Sequence, residues 1–173
     1  MEHERALDEE HWSYMDRFAA GMVARGPTLA ADRATWTGSL HILDLPSPEA
    51  AREFVEHEPY NRAGLFATHL VLRFENRLGR TMWEFPGDAD EPRFLVIAQA
   101  RAAAGEDAPP AGVTALAPER LIVHGALLTL DEARPVGAVL ALHAPTRHAI
   151  DALIRVNERY DVQIHDWEFG GRR

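Results

Sequence analysis

The residues best suited to chemistry in this chain are an imidazole on the flank of an amphipathic helix, His11, and a carboxylate just beyond a turn, Asp32. His11 lies one helical turn before Met15 and two before Phe18, at the edge of an apolar stripe rather than in open solvent. Imidazole is the one side chain whose ordinary pKa lets it both give and take protons near neutrality. A carboxylate beside it would fix its tautomer and stabilise its charged form. Asp32 follows a short Gly26-Pro27 turn, which is expected to send the chain back towards that helix. By residue type and spacing alone, a half-buried helix histidine and a turn aspartate are the plainer account of the pair.

Ser39 and His41 share one face of an expected strand, and Tyr60 follows an expected helix. Together they are candidate substrate-binding residues, with the hydroxyls as orienting donors. Core packing accounts equally well for Tyr60, and a hydrogen-bonded sheet histidine is the plainer reading of His41. No nucleophile elbow, phosphate loop or dinucleotide fingerprint is present, because Gly-Pro-Thr-Leu lacks the glycine spacing these need. The nine histidines are scattered singly and Cys is absent, so neither a metal site nor a cofactor is expected.

The elements that must carry these residues are legible in outline. Trp12, Met15, Phe18, Ala19, Met22 and Val23 recur at three- and four-residue steps and predict a helix over 7–25, stopped by Gly26-Pro27. A strand is predicted over 37–45. A helix from Pro48 to about His57 follows, with Ser47 as its cap. Strands over 68–76 and 81–85 come next, the second expected to pair back on the first because Met82, Trp83 and Phe85 are costly to leave exposed. Residues 86–92 read as a linker. Beyond it come a strand over 94–100, a loop over 102–112, a short helix over 118–124, a strand over 135–143, a helix over 146–158 and a strand over 161–169.

The second set echoes the first. At an offset of 99 residues Gly26 falls on Gly125, Asp32 on Asp131, Gly38 on Gly137, Pro46 on Pro145 and Ala50 on Ala149, with no gap. The matching Gly, Asp and Pro mark turns and helix starts, so a tandem duplication is the expected organisation, with units over 1–86 and 93–173. The second unit keeps Asp131 but has Pro110 where His11 would fall, so only the first retains a candidate pair. The first unit opens on a helix, one strand short of βαββαβ.

At 173 residues, with 46% apolar and 26% charged, the chain can bury a substantial core and does not have the composition of a disordered one. A net charge of −9 without a basic run disfavours a nucleic-acid partner. The polar start and the lack of a long apolar stretch point to a cytoplasmic protein without a membrane partner, and the Ala- and Arg-rich, Lys-poor usage to a bacterial one.

The first half resembles the YciI-like (YCII-related) family. The resemblance rests on a helix carrying His11, Gly26-Pro27 with Asp32 shortly after, Thr37-Gly38-Ser39 opening a strand, and Glu58-Pro59-Tyr60 before Ala63-Gly64-Leu65-Phe66. It covers roughly residues 8–75. Glu58 departs from the family's usual Asp, and the opening strand is missing. The resemblance implies an α+β fold of two ferredoxin-like units in tandem, their sheets packed face to face as a pseudo-dimeric α+β barrel within one chain, with a homodimer also open to it. It implies a cofactor-free acid/base enzyme of the lyase, dehydratase or isomerase type, in which His11 and Asp32 act on a small aromatic or enolic molecule. A non-catalytic ligand-binding or accessory protein on the same scaffold is the alternative.

Overall fold

The first helix has to end early for the first hairpin to form. In the computed structural model, which describes residues 2–87, 91–101, 118–153 and 160–170, helix α1 spans Glu2–Asp16. A 3₁₀ turn at Ala19–Gly21 then hands the chain to strand β1, Met22–Leu29. The predicted helix over 7–25 is therefore corrected in its second half. The Asp44 amide donates to the Gly21 carbonyl at 2.7 Å, and this contact closes the base of an antiparallel hairpin between β1 and β2, Trp36–Leu43. Residues 22–25 must be extended to take part in it, and cross-strand pairing overrides a local periodicity that suits either state. Gly26 and Pro27 are not a helix stop but the interior of β1, opposite Leu40 and Ser39.

Helix α2, Pro48–His57, forms where expected, with the Ser47 hydroxyl accepting the Ala50 amide at 3.2 Å. The one-turn helix α3, Pro59–Arg62, follows directly, and strand β3 is confined to Arg73–Asn76. Residues 81–85 are not a strand. They wind a 3₁₀ turn at Met82–Glu84, in which the Glu84 carboxylate accepts both the amide and the hydroxyl of Thr81 at 2.7 and 2.9 Å. Local side-chain acceptors thus take a donor that a ladder would have used. Met82 is nonetheless fully buried, with Trp83 and Phe85 packed on the same core.

In the second half β4 is Arg93–Ala100, β5 Leu121–Leu128, β6 Pro135–His143, helix α4 Arg147–Leu153 and β7 Tyr160–Trp167. The expected helix over 118–124 shrinks to a 3₁₀ turn at Pro118–Arg120 before β5. The loop over 102–112, Pro110 and the end of the helix over 146–158 lie outside the described residues. β5 starts 99 residues after β1, β6 99 after β2 and α4 99 after α2.

The described strands form one antiparallel sheet in the order β2-β1-β7-β4-β6-β5-β3, which corrects the expectation of two sheets packed face to face. The reason is edge pairing. β1 joins β7 through Thr28–Trp167 and Leu29–Asp166, and β3 joins β5, so strands of the first half satisfy both outer edges of the second. The sheet curls until its ends share a core, in which Ala24 and Ile42 from one end meet Phe74 and Leu127 from the other around Trp167. The outer faces are covered by helices: Ile150 of α4 lies on Val96 and Leu140, while Tyr14, Met15 and Phe54 of α1 and α2 lie on Met22.

Gly26 marks the tightest junction. A Cβ there would fall on the Glu168 carbonyl oxygen, where the chain leaves β7. Gly26→Ala is expected to pry β1 from β7 at a cost of more than about 2 kcal/mol, read as a lower urea midpoint.

Candidate active site

The period-two alternation of β1 and β2 sorts their residues onto two faces. Ala24 and Ile42 point into the shared core. Arg25 stands opposite His41 and Pro27 opposite Ser39, and these four form the floor of a cavity of about 360 Å³ on the other face. His11 and Trp12 of α1 and Tyr60 of α3 wall it on the helical side, and Phe169 and Gly170 beyond β7 close it. Trp12 and Trp36, each 39% exposed, flank the mouth. The size sits at the small end of the range for ligand pockets.

Glu58 is the centre of the arrangement. It caps α3, its carboxylate accepting the amides of Tyr60 at 3.1 Å and Asn61 at 2.7 Å. The same Oε1 accepts His11 Nδ1 at 2.6 Å. Burial acts to raise its pKa, but the His11 contact and the two amides outweigh it and hold the carboxyl below the usual range. Glu58 is therefore an ionised, buried carboxylate, and His11 must present Nδ1–H to it. The imidazole is clamped further by stacking on Tyr60, with ring centroids 4.1 Å apart and planes within 12°. Tyr60 is fixed in turn by its hydroxyl, which donates to Asp8 at 2.7 Å. Burial, then Asp8, pushes that phenol well above its ordinary pKa, so it stays protonated.

His41 faces His11 edge-on, with centroids 5.9 Å apart. Burial, helped by the neighbouring His11, lowers its pKa from 6.5 to about 4, and Arg25 adds to the shift against the pull of Glu58. His41 is neutral at pH 7. The unfolded chain binds a proton there that the folded chain refuses, so stability is full above pH 6.5 and declines as pH falls towards 4. The loss is up to about 3 kcal/mol. His41→Leu is expected to flatten that stretch of the stability-against-pH curve in urea titrations.

Of the residues expected at the site, His11, Ser39, His41 and Tyr60 are brought together and Asp32 is not. Asp32 is exposed and binds its own turn, accepting the amides of Ala34 and Thr35 at 2.9 Å and the Thr35 hydroxyl at 2.6 Å. Those bonds, the Thr35 hydroxyl first, lower its pKa to about 2. The His11–Asp32 contact is thus replaced by His11–Glu58. An Asx turn consumes the aspartate, while the break between α2 and α3 turns Glu58 inward. Asp32→Asn is expected to leave chemistry at the cavity unchanged, as measured by the same turnover assay applied to His11 variants. Asp131 does not repeat the role of Asp32: it accepts Arg52 of α2 at 2.5 Å on the surface.

Two features escaped sequence reasoning. Arg25 fell within the overextended helix. Phe169 and Gly170 are held by a network that no local pattern announces: Arg33 at the hairpin tip binds Asp166 and Glu168 at 2.6 Å each, and Arg93 binds Glu168 at 2.5 Å. Glu58 did have a signal, the Glu-Pro-Tyr run.

A curled antiparallel sheet with helices on its outer face, and a cavity lined by a histidine that a buried carboxylate holds from behind, defines a mixed α+β protein. Residues 1–75 match the model of the YCII-related domain. No curated protein and no solved structure matches the chain. His11, Ser39, His41, Glu58 and Tyr60 all lie within the matched segment, whereas Phe169 and Gly170 lie outside it. No helix among the described residues is long and apolar enough to cross a membrane.

Proposed function

We propose that this protein is a cofactor-independent acid/base enzyme of the lyase, dehydratase or isomerase type, acting on a small aromatic or enolic molecule. His11 transfers the proton and Glu58 orients it. The observation that carries this reading is the 2.6 Å contact between His11 Nδ1 and a buried, ionised Glu58, with the same imidazole lining the cavity. With Nδ1–H committed to the carboxylate, Nε2 holds the lone pair that takes a proton from bound substrate. The imidazolium so formed is stabilised by Glu58 and can return the proton to a leaving group or to another carbon.

We also read the second half as a diverged copy that scaffolds the first. In its support, the positions 99 residues beyond Ser39 and His41 are Ala138 and Leu140, both buried, Leu140 within an apolar cluster that includes Val96 and Ile150. That face is filled where the first half leaves a cavity.

The test is deuterium uptake. Small ring-bearing and enolic acids that bind the protein are incubated with it in D₂O, and proton NMR follows C–H exchange or elimination. Exchange with the wild type and not with His11→Asn supports the enzyme. A ligand held in the cavity with no exchange or turnover would overturn that reading in favour of a binding protein.

A further inference from the structure

We infer that His41 is a second catalytic residue of the cavity, its imidazole N–H donating to the carbonyl oxygen of a small cyclic substrate whose neighbouring C–H faces His11. This rests on the reading of the cavity as a proton-transfer site and adds the class of substrate, a carbonyl compound or its enol. His41 lines the cavity from β2, yet no described residue gives its ring a hydrogen bond. It packs edge-on against His11 and Phe54, at 5.9 Å between ring centres in each case. A polar side chain kept in a wall for the sake of the fold is normally hydrogen-bonded, because burying it otherwise costs stability. The other half of the chain shows what the fold itself asks for at this register. Arg25 pairs with His41 across β1 and β2, and 99 residues on His124 pairs with Leu140 across β5 and β6. Leu140 is fully buried in a cluster with Ile150 of α4. An apolar side chain satisfies this place in the sheet, so the imidazole of His41 serves what enters the cavity.

The two rings divide the chemistry. His11 commits Nδ1–H to Glu58, which leaves Nε2 as the base. His41 is neutral at pH 7, its pKa lowered to about 4 by burial first and by His11 next. A neutral imidazole has one N–H to donate and is too weak an acid to surrender it. It therefore supports negative charge on oxygen without quenching the base beside it. Their edge-on spacing lets neighbouring atoms of one ligand touch both rings. His11 takes the proton from the carbon next to the carbonyl. The C–H electron pair becomes the new C=C bond, and the carbonyl π pair moves onto the oxygen held by His41. Return of the proton to another carbon completes an isomerisation, and departure of a β-substituent with its electron pair completes an elimination. Trp12, Pro27, Leu29 and Trp36 give the cavity apolar walls, and its volume equals about a dozen waters, room for one small bicycle.

1-Indanone and indane, one bicycle with and without a carbonyl, provide the test. In ¹⁵N-histidine-labelled protein, with His41 assigned from His41→Gln, saturating 1-indanone is expected to shift the His41 nitrogen signals, and indane to move them far less. Dissociation constants taken from backbone amide shifts should show the affinity for 1-indanone relative to indane falling about tenfold in His41→Leu. His41→Gln, which keeps a donor, should fall between. His41→Leu breaks no hydrogen bond to a described residue; if its cooperative melt is nonetheless lost, the wild-type nitrogen shifts and His41→Gln decide. In D₂O the wild type should speed exchange at C2 of 1-indanone, and His41→Leu should slow that exchange by about 10²-fold. His11→Asn should abolish it and keep the wild-type affinity ratio. An unchanged affinity ratio in His41→Leu, no saturable binding of 1-indanone, or His41 nitrogens that do not respond to it would overturn the proposal. Carbonyl-dependent binding without exchange would leave His41 as the capturing group and remove the enzyme reading. Exchange lost in His11→Asn but intact in His41→Leu would do the reverse.

Discussion

Replacing His11 with Asn is expected to lower turnover by about 10²–10⁴-fold while leaving the thermal midpoint close to that of the wild type. The asparagine amide can donate to Glu58 from nearly the place of Nδ1, so the buried carboxylate keeps its partner. It cannot accept and release a proton at neutral pH. His11→Ala should show the same loss of rate together with a lower midpoint, by about 1–3 kcal/mol, because the carboxylate then keeps only the amides of Tyr60 and Asn61. The difference between the two variants separates the chemical role of the imidazole from its structural one. Steady-state kinetics and melts on the same preparations measure both.

The second large effect belongs to Glu58. Glu58→Ala removes at once the acceptor for His11 Nδ1 and for two amides at the start of α3, in a residue only 4% exposed. Leaving those donors buried is expected to cost about 3 kcal/mol or more. Glu58→Gln is gentler on the fold but withdraws the charge that sets the tautomer and supports the imidazolium, and its rate should fall by about 10²-fold or more. The pH dependence has a definite sign. The Glu58 carboxyl is held below its ordinary pKa of 4.5, so the stability it contributes is present above pH 4.5 and is lost as pH falls through the lower folded value. In Glu58→Gln that acid limb should disappear. Glu58→Asp keeps the charge and should retain more activity than Glu58→Gln, less whatever the shorter arm costs in reach.

Much of this was legible in the residues, and the failures have a common cause. Ser47 and Pro48 announced α2 because a cap is a local device, and the strand over 135–143 was visible because its apolar run has no competing reading. His11, Ser39, His41 and Tyr60 were found by residue type and by a family pattern that spans them. What failed was decided across the fold. Residues 22–25 carry a periodicity that suits a helix, yet they pair with β2 because the Gly21–Asp44 contact requires it. Arg25 was lost with that segment. Asp32 has the right charge and follows the right turn, but three bonds within its own turn consume its carboxylate. Glu58 is 47 residues from His11, and only the break between α2 and α3, a matter of where Pro59 falls, turns it inward. The join of β1 to β7 and of β3 to β5 could not be read from a repeat, since an offset of 99 residues shows that two segments are alike but not which edges they share.

The central claim is that Glu58 holds His11 with Nδ1 protonated and Nε2 available to substrate. Nitrogen NMR of the ¹⁵N-histidine-labelled protein, with the His11 signals assigned from His11→Asn, measures this directly and needs no substrate. The wild-type protein, once its imidazole is neutral, should show a protonated Nδ1 and a lone-pair-bearing Nε2 for His11, and Glu58→Gln should shift that tautomer balance. A His11 protonated at Nε2, or one whose nitrogens do not respond to Glu58→Gln, would contradict the account.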